Sequence, residues 1–569
     1  MSQTNENLFT RSEVRFFSSQ QTKYAIAEVF RRSHTVIYCG AGVSIDRTGL
    51  GWQQLVSSIR PGGDSVKPAH LGALARFLDP ARQATAVVNS LSEQYPALGA
   101  DAEVCWQVQN QLRLELYKKA HTWQYGTLMR NIVSFAIMRA IAGGTVTILT
   151  TNFDIHLEDE ARSFIQDSDR ILGELGVNVN TRVRFAEEFE NPGGAMQDGT
   201  APDDDEPVVE IVYLHGRVHK DAAQQTACRV VLDEVDYGET SEMTVRILRQ
   251  YFSARDSSLI IVGASLTDAP LIEALARERN GGAFRTRSGP DNQYRLFLLP
   301  LSTVKSNDDP PKRVHNLTCS DAQNLIRLLA GRCKRLGVNM LAADFKYQVS
   351  QFFRELVICT SLGSTDAYFS TTNRSTYGRR LVRWWEEWND AANADIHHFT
   401  RQYLRLDATV SAIRKKFVLP SGERLKLELW VRYGVEKERQ LVLCASSAGV
   451  LYNRRLLRRE ELSLNSKQVS MRAFIDGQVS YVDNSKDAGQ YSRWRSFLSV
   501  PIFLNAENRE FFAGVITLSS SEYIGHTGLP HQNAESMLSL VNVIRRCGIQ
   551  LLEPEQTAVK GRRLSRASL

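Results

Sequence analysis

The chain is short of several features that would settle its class at once. Its 569 residues hold 8 cysteines, Cys39, Cys105, Cys228, Cys319, Cys333, Cys359, Cys444 and Cys547, and no two of them form a C-x-x-C. That scatter fits reduced, buried thiols rather than a disulfide scaffold or a four-thiolate zinc site. Apolar runs are short, and none approaches the ~18 residues that a membrane span needs. The opening, Met1 to Ser19, is polar with acidic residues and lacks the apolar core of a signal peptide. An excess of one charge is also missing. The 69 basic and 63 acidic side chains leave +6, too little to point to direct nucleic-acid binding. The local basic clusters, at Arg454, Arg455, Arg458 and Arg459 and from Lys560 to Arg566, read as a solvated face and a frayed end. A cytoplasmic protein without a membrane segment is the expectation. At this length, with 43% hydrophobic residues, two or more domains are expected.

What is present is a set of short motifs at predicted strand ends. Thr35-Val36-Ile37-Tyr38 reads as a buried strand, and Gly40-Ala41-Gly42-Val43-Ser44 follows it. Beyond Gly49-Leu50-Gly51 lies the helical spacing of Trp52, Leu55, Val56 and Ile59. Without Cβ atoms, Gly40 and Gly42 let the backbone approach a pyrophosphate, with exposed N–H groups to complement its charge. The turn departs from G-x-G-x-x-G, because Ile45 stands at the third glycine. Taken alone it is equally a tight turn with no ligand.

Three later segments add to it. A strand from Thr145 to Thr150 delivers Thr151, Asn152 and Asp154 at its carboxyl end, where open α/β sheets bind ligands. The same residues also suit an Asx-turn and helix cap before His156. A strand from Val208 to Leu214 ends in His215-Gly216. His215 is the candidate general base, since its ordinary pKa lies near neutrality and the glycine lets the chain turn away. His34, His156, His397 and His398 read as packing or surface residues. A strand from Ser258 to Val262 runs into Gly263-Ala264-Ser265-Leu266-Thr267-Asp268, a second glycine turn expected to pack beside the first, with Ser265 placed to donate to a phosphate or ribose, or Ser265 or Thr267 to cap the helix Pro270 to Arg277.

Further strands are expected at Tyr294 to Leu299 and Val338 to Leu341, and helices at Gln20 to Arg32 and Asp344 to Cys359. Val66 to Ala142 reads as a helical insertion over the pocket, through Leu71, Leu74, Phe77, Leu112, Leu116, Ile132, Phe135 and Met138; ordinary scaffold is the alternative. Glu187 to Pro207, acidic and rich in glycine and proline, reads as a solvated loop. The alternation of strand and helix argues for an α/β, Rossmann-like parallel sheet.

In this order the motifs resemble the G-A-G-[VI]-S loop, T-x-N-[IYF]-D segment, H-G histidine and G-x-S-L loop of the sirtuin (silent information regulator) family. The resemblance covers about Gln20 to Asp344 and implies an NAD site. Gly40, Ala41, Gly42 and Ser44 would lie around the pyrophosphate, Asn152 and Asp154 near the nicotinamide ribose, His215 beside its hydroxyls, and Gly263 and Ser265 on the adenosine side. Thr151 and Asp268 belong to the same binding set. Sirtuin deacylases carry a module in which four cysteines hold zinc, and no cysteine lies between Asn152 and His215. No zinc is therefore expected, and the protein-deacylase reading weakens. The resemblance then implies the zinc-less bacterial antiphage type, in which a sirtuin-like domain hydrolyses NAD once a sensor reports infection. A non-catalytic NAD or ADP-ribose-binding regulator and an NAD-dependent deacylase or ADP-ribosyltransferase are the alternatives.

In the second half, Leu381, Trp385, Trp388, Ala392, Ile396, Phe399, Tyr403, Leu406, Val410 and Ile413 follow steps of four and three, which predicts one long amphipathic helix. Its seam is either a homo-oligomer contact or the face packed on its own domain. Strands are then expected at Leu425 to Arg432, Leu441 to Ala445, Val479 to Val482, Phe497 to Phe503 and Phe511 to Leu518, with a closing helix from Asn533 to Leu552. The segment Arg495 to Ile502, with Gly514 to Leu518 after it, resembles the central hairpin of a GAF domain. It implies an α+β sensor or oligomerisation domain on which a small molecule or a protein, such as an Argonaute, acts within residues 391–552. The expected division is a tail (1–19), a sirtuin-like catalytic domain (20–360, insertion about 66–142), a linker and long helix (361–417), a GAF-like domain (418–552) and a basic tail (553–569).

Overall fold

The computed structural model describes residues 16–17, 19–59, 82–86, 88–89, 100–118, 126–174, 176–189, 207–224, 230–278, 293–300, 319–343, 345–370, 383–384, 386–388, 390, 395, 397–433, 440–449, 458–462, 466, 468–484, 493–506 and 509–553. The first half is built on β1 (His34–Cys39), β2 (Thr145–Thr150), β3 (Asn180–Phe185), β4 (Val208–Tyr213), β5 (Ser257–Val262), β6 (Tyr294–Pro300) and β7 (Asn339–Ala343). They form one sheet in the order β3-β4-β2-β1-β5-β6-β7, and every neighbouring pair is parallel.

Both faces of this sheet are covered, which is why its central strands are mostly apolar; Thr147 of β2 and Glu210 of β4, which interrupt them, bond each other at 3.1 Å. Successive side chains alternate between the two sides. Ile37, Cys39, Ile148, Ile211, Ile260 and Val262 enter one core, packed by helices α1 (Gln20–Arg31), α5 (Leu128–Ile141), α6 (His156–Glu174) and α10 (Lys346–Leu362). Val36, Tyr38, Leu149, Val212, Leu259 and Ile261 enter the other, packed by α7 (Glu234–Phe252), α8 (Ala269–Glu278) and α9 (Cys319–Arg335). This is the Rossmann-like layering expected from the strand–helix alternation. Edge strand β3 escaped the sequence reading because its residues run exposed to half-buried, with no apolar run to mark it.

The region expected as an insertion divides in two. Leu128–Ile141 is scaffold: buried on nearly every turn, it packs against α10 beneath the sheet. Helix α4 (Ala100–Lys118) instead joins α3 (Trp52–Ser58), Phe153, Val218 and Leu232 in a small separate core through Val108, Leu112 and Leu116. Leu71, Leu74 and Phe77, and residues 190–206 of the expected loop, lie outside the described residues.

In the second half β8 (Leu425–Tyr433), β9 (Gln440–Ser446), β10 (Arg459–Glu461), β11 (Ser480–Asp483), β12 (Ser496–Ala506) and β13 (Arg509–Ser520) form an antiparallel sheet in the order β10-β9-β8-β13-β12-β11. Helices α12 (His398–Phe417) and α14 (Ala534–Leu552) pack on this sheet, as does α13 (Val469–Asp476). Among the described residues the single long helix does not form; Leu381, Trp385, Ala392 and Ile396 of its seam lie outside them. Asp395 accepts the backbone N–H of His397 at 3.0 Å on its side chain and that of His398 at 3.1 Å on its carbonyl, an Asx-turn that starts α12 afresh at His398. The seam faces its own domain. Leu406, Val410 and Ile413 are buried on α12, while Trp384 and Trp388 donate their indole N–H groups to the carbonyls of Leu552 and Leu551.

The halves meet beside the first glycine turn. The Tyr347 ring of α10 lies edge-on to Phe474 and Phe512 at 5.5 and 4.9 Å. Gln478 then reaches across to donate to Asp46 Oδ1 at 2.8 Å, and the other Asp46 oxygen accepts the Met129 N–H at 3.2 Å. Asp46 is buried, so losing a donor leaves a charged acceptor poorly compensated. Gln478→Leu is expected to lower stability by about 1–3 kcal/mol, read as a fall in the urea midpoint of the full chain; an unchanged midpoint would show the contact to be idle.

Candidate functional site

Four central strands, β4, β2, β1 and β5, end side by side, and each expected site segment leaves one of them. The Cys39 carbonyl accepts the Thr151 N–H at 3.3 Å and the Thr150 carbonyl accepts the Leu214 N–H at 2.9 Å. The three later motifs therefore converge with the first along one sheet edge.

The first and fourth glycine turns pack directly on each other. Helix α2 (Ala41–Thr48) begins directly after Gly40. The N–H groups of Gly40 and Gly42 are not exposed: they donate to the carbonyls of Val262 and Gly263 at 3.0 and 2.8 Å. A Cβ on Gly42 would stand 2.7 Å from Gly263 Cα, and one on Gly40 2.7 Å from Gly263 O. Both residues are glycine because two turns lie backbone against backbone, which locks the first motif to the fourth. Gly263 has φ +69, a conformation glycine adopts freely. Leu266, in the same turn, also has a positive φ, of 54. Its buried side chain and the Arg332 guanidinium, which donates to its carbonyl at 2.7 Å, hold it there.

Asn152 is buried, its amide donating to the Gly40 carbonyl at 3.1 Å. Asp154 is buried too, and both carboxylate oxygens are engaged. Oδ1 accepts the His156 N–H at 3.2 Å, the expected helix cap, and Oδ2 accepts the Ser44 hydroxyl. Asp154 thus ties α2 to α6. Thr151 bonds Tyr38 through its side chain.

His215 is 3% exposed, and burial lowers its pKa while the charge of Asp268 opposes the shift. The ring is therefore neutral at neutral pH. Its Nδ1 lies 3.5 Å from the Tyr237 hydroxyl, and the two rings meet edge-on at 5.0 Å. Gly216 takes φ +81, the sharp turn expected after the histidine. Asp268 accepts the Tyr38 hydroxyl at 2.5 Å on Oδ2, while its buried Oδ1 has no hydrogen-bond partner among the described residues. Burial and the Asp268 charge push the Tyr38 and Tyr237 phenols up. Ser265 and Thr267 bond each other through their hydroxyls on the exposed side of the fourth turn.

Sequence reading missed the residues that brace these turns. The Tyr117 hydroxyl, on α4, donates to the Val218 carbonyl at 2.6 Å and accepts the Ile155 N–H at 3.0 Å, which joins the second and third turns under a helical roof. Arg217, next after Gly216, donates to both oxygens of Glu158 at 3.1 and 3.0 Å. Tyr237 and Tyr38 carried no signal beyond apolar spacing, because a buried phenol and a core aromatic look alike in a sequence. Among the described residues no group of three or more His, Cys, Asp or Glu is placed to hold a metal ion, and no helix is long and apolar enough to cross a membrane.

Fold and site together define a class: an open parallel α/β sheet with polar side chains gathered at the carboxyl ends of its central strands, where such sheets bind their ligands. Among known families, residues 146–302 match a SIR2-like domain. That span takes in Asn152, Asp154, His215 and the Gly263–Asp268 turn but starts beyond Gly40–Ser44, and it is less than half of the chain. No curated protein matches. A solved structure described as "Structural Basis for the Mechanism and Regulation of Sir2 Enzymes" is similar at 12% identity over 61% of this chain and 98% of its own, with a TM-score of 0.27, a superposition too loose to bear on the site.

Proposed function

We propose that the first half is an NAD glycohydrolase, converting NAD and water to nicotinamide and ADP-ribose, of the zinc-less sirtuin-like antiphage type, and that the GAF-like second half regulates it. What supports this reading is that Asn152 and His215 each stand two residues beyond the paired Thr150 and Tyr213 of the neighbouring strands β2 and β4, and that the first turn, on which the Asn152 amide is fixed, interlocks with the Gly263 turn. The match of residues 146–302 to a SIR2-like domain supports it.

Cleavage of the N-glycosidic bond builds positive charge on the ribose as nicotinamide leaves. A neutral His215 accepts a proton at Nε2, from water or through a ribose hydroxyl, while the new C–O bond forms at the ribose. Asn152, its amide N–H fixed on Gly40, presents its carbonyl oxygen to orient the water and ribose. Gly40, Ala41, Gly42 and Ser44 lie around the pyrophosphate, Thr151 and Asp154 hold the second turn, and Gly263, Ser265 and Asp268 meet the adenosine side. Oδ1 of Asp268, without a partner among the described residues, is a ready acceptor for a ribose hydroxyl. The Gln478–Asp46 contact gives the second half a direct hold on α2, the helix bearing Ser44.

Incubating the assembled full chain with NAD and separating nicotinamide from ADP-ribose tests the reading. Asn152→Ala is expected to lower turnover by about a hundredfold, the usual cost of misplacing reacting groups; the same rate as the parent would remove Asn152 from the site.

A further inference from the structure

The ring of His215 has two nitrogens, and its chemistry depends on which one carries the proton. Among the described residues, the hydrogen-bonding neighbour of the ring is Tyr237, whose hydroxyl faces Nδ1 at 3.5 Å. If the phenol donated to Nδ1, the proton would sit on Nε2 and that nitrogen would accept nothing. If Nδ1–H donates to the phenol oxygen, Nε2 keeps its lone pair. The surroundings favour the second arrangement. A phenol that receives Nδ1–H must send its own hydrogen elsewhere, and the Asp268 carboxylate acts on Tyr237 and His215 alike. Asp268 is itself held through Oδ2 by Tyr38, and its Oδ1 is buried with no hydrogen-bond partner among the described residues. Its negative charge, acting on Tyr237, is what would turn the phenol hydrogen away from the histidine and leave the oxygen lone pair to Nδ1–H. Tyr237 is firmly placed for this: it lies in the first turn of α7, which Asp233 caps by accepting the Asp236 N–H at 2.9 Å, and its own N–H bonds the Asp233 carbonyl at 3.0 Å.

We propose that Tyr237 is a positioning residue that accepts Nδ1–H of His215 and so reserves Nε2 as the proton acceptor. The proposal rests on the reading of His215 as the base of NAD cleavage, and it reaches a residue outside every motif in the sequence. The 3.5 Å separation is of the kind that shortens when substrate closes the site.

The full chain, labelled with ¹⁵N-histidine, provides the test. The His215 signals are identified by their loss in His215→Gln, and two-bond ¹⁵N–¹H spectra show which nitrogen is protonated. Protonation at Nδ1 in the parent, giving way to a mixed population in Tyr237→Phe, is the expected result. In the NAD assay Tyr237→Phe, which keeps the edge-on ring packing, should lose about tenfold to a hundredfold in kcat, as orienting groups do, with KM unchanged. The acid limb of its pH profile should move down, because the imidazolium loses an acceptor. Among the described residues, Asp268 and Tyr237 are the titratable groups that act on the ring, and Tyr38 bonds Asp268. A parent His215 protonated at Nε2, or a Tyr237→Phe enzyme with unchanged kcat and pH profile, overturns the proposal. Nδ1 protonation that depends on Tyr237 in a chain that never cleaves NAD would keep this inference and discard the NAD reading.

Discussion

His215→Ala is expected to lower NAD cleavage about 10²–10⁴-fold, the range lost with a general base, without unfolding the chain. The ring is buried at a strand end against Tyr237, so the variant is compared with the parent by urea midpoint as well as by rate, which separates lost packing from lost chemistry. The pH dependence follows from its surroundings. Burial lowers the pKa of His215, and Asp268 only partly offsets this. Activity should then persist below the ordinary histidine value of about 6.5 and fall only as pH passes through the depressed folded value. The same shift has a sign for stability. The unfolded chain takes up the proton first, so the contribution of neutral His215 is complete above about pH 6.5 and shrinks as pH falls towards the folded pKa. An acid limb centred above pH 7, or a His215→Ala rate equal to the parent's, would show that another group is the base.

Gly263→Ala should produce the largest loss of stability of any single methyl added to the site. Its φ of +69 disfavours a side chain, and the new Cβ would lie 2.6 Å from the Val43 nitrogen and 3.0 Å from the Gly40 carbonyl oxygen. The left-handed backbone costs about 1–2 kcal/mol and the forced contact about 1–3 kcal/mol more. Gly49→Ala separates the two terms. Gly49 has φ +67 but open space around it, so only the backbone cost of about 1 kcal/mol should appear. Thermal unfolding of the two variants side by side measures the difference. Equal losses would mean that the turns do not press on each other as described.

The readable part of this protein was the part written in one strand and the turn after it. Tyr38, Thr150, Tyr213 and Val262 close or nearly close apolar stretches that could only be buried strands, and Gly40, Asn152, His215 and Gly263 follow each of them. Parallel layering followed from the alternation of such stretches with helical spacing. The packing of the Gly263 turn beside the first glycine turn was legible, but the partners that individual groups take were not. Gly42 reads as a phosphate cradle when viewed alone, and only the position of Gly263 shows that its N–H is taken. Asp154 was equally a ligand group or a helix cap, and it is the cap as well as the partner of Ser44. In the second half the step of four and three ran unbroken through Ile396, because periodicity does not register an Asx-turn at Asp395. Tyr117 and Tyr237 brace the site from helices that begin far from any motif.

The most direct measurement is release of nicotinamide from ring-labelled NAD by the full-length chain in each assembly state it adopts, beside the Asn152→Ala, His215→Ala double variant. Stoichiometric nicotinamide and ADP-ribose from the parent, with next to none from the double variant, is the expected result. Intact NAD in every state, or equal release by both proteins, would contradict a cleavage site at the ends of β1, β2, β4 and β5.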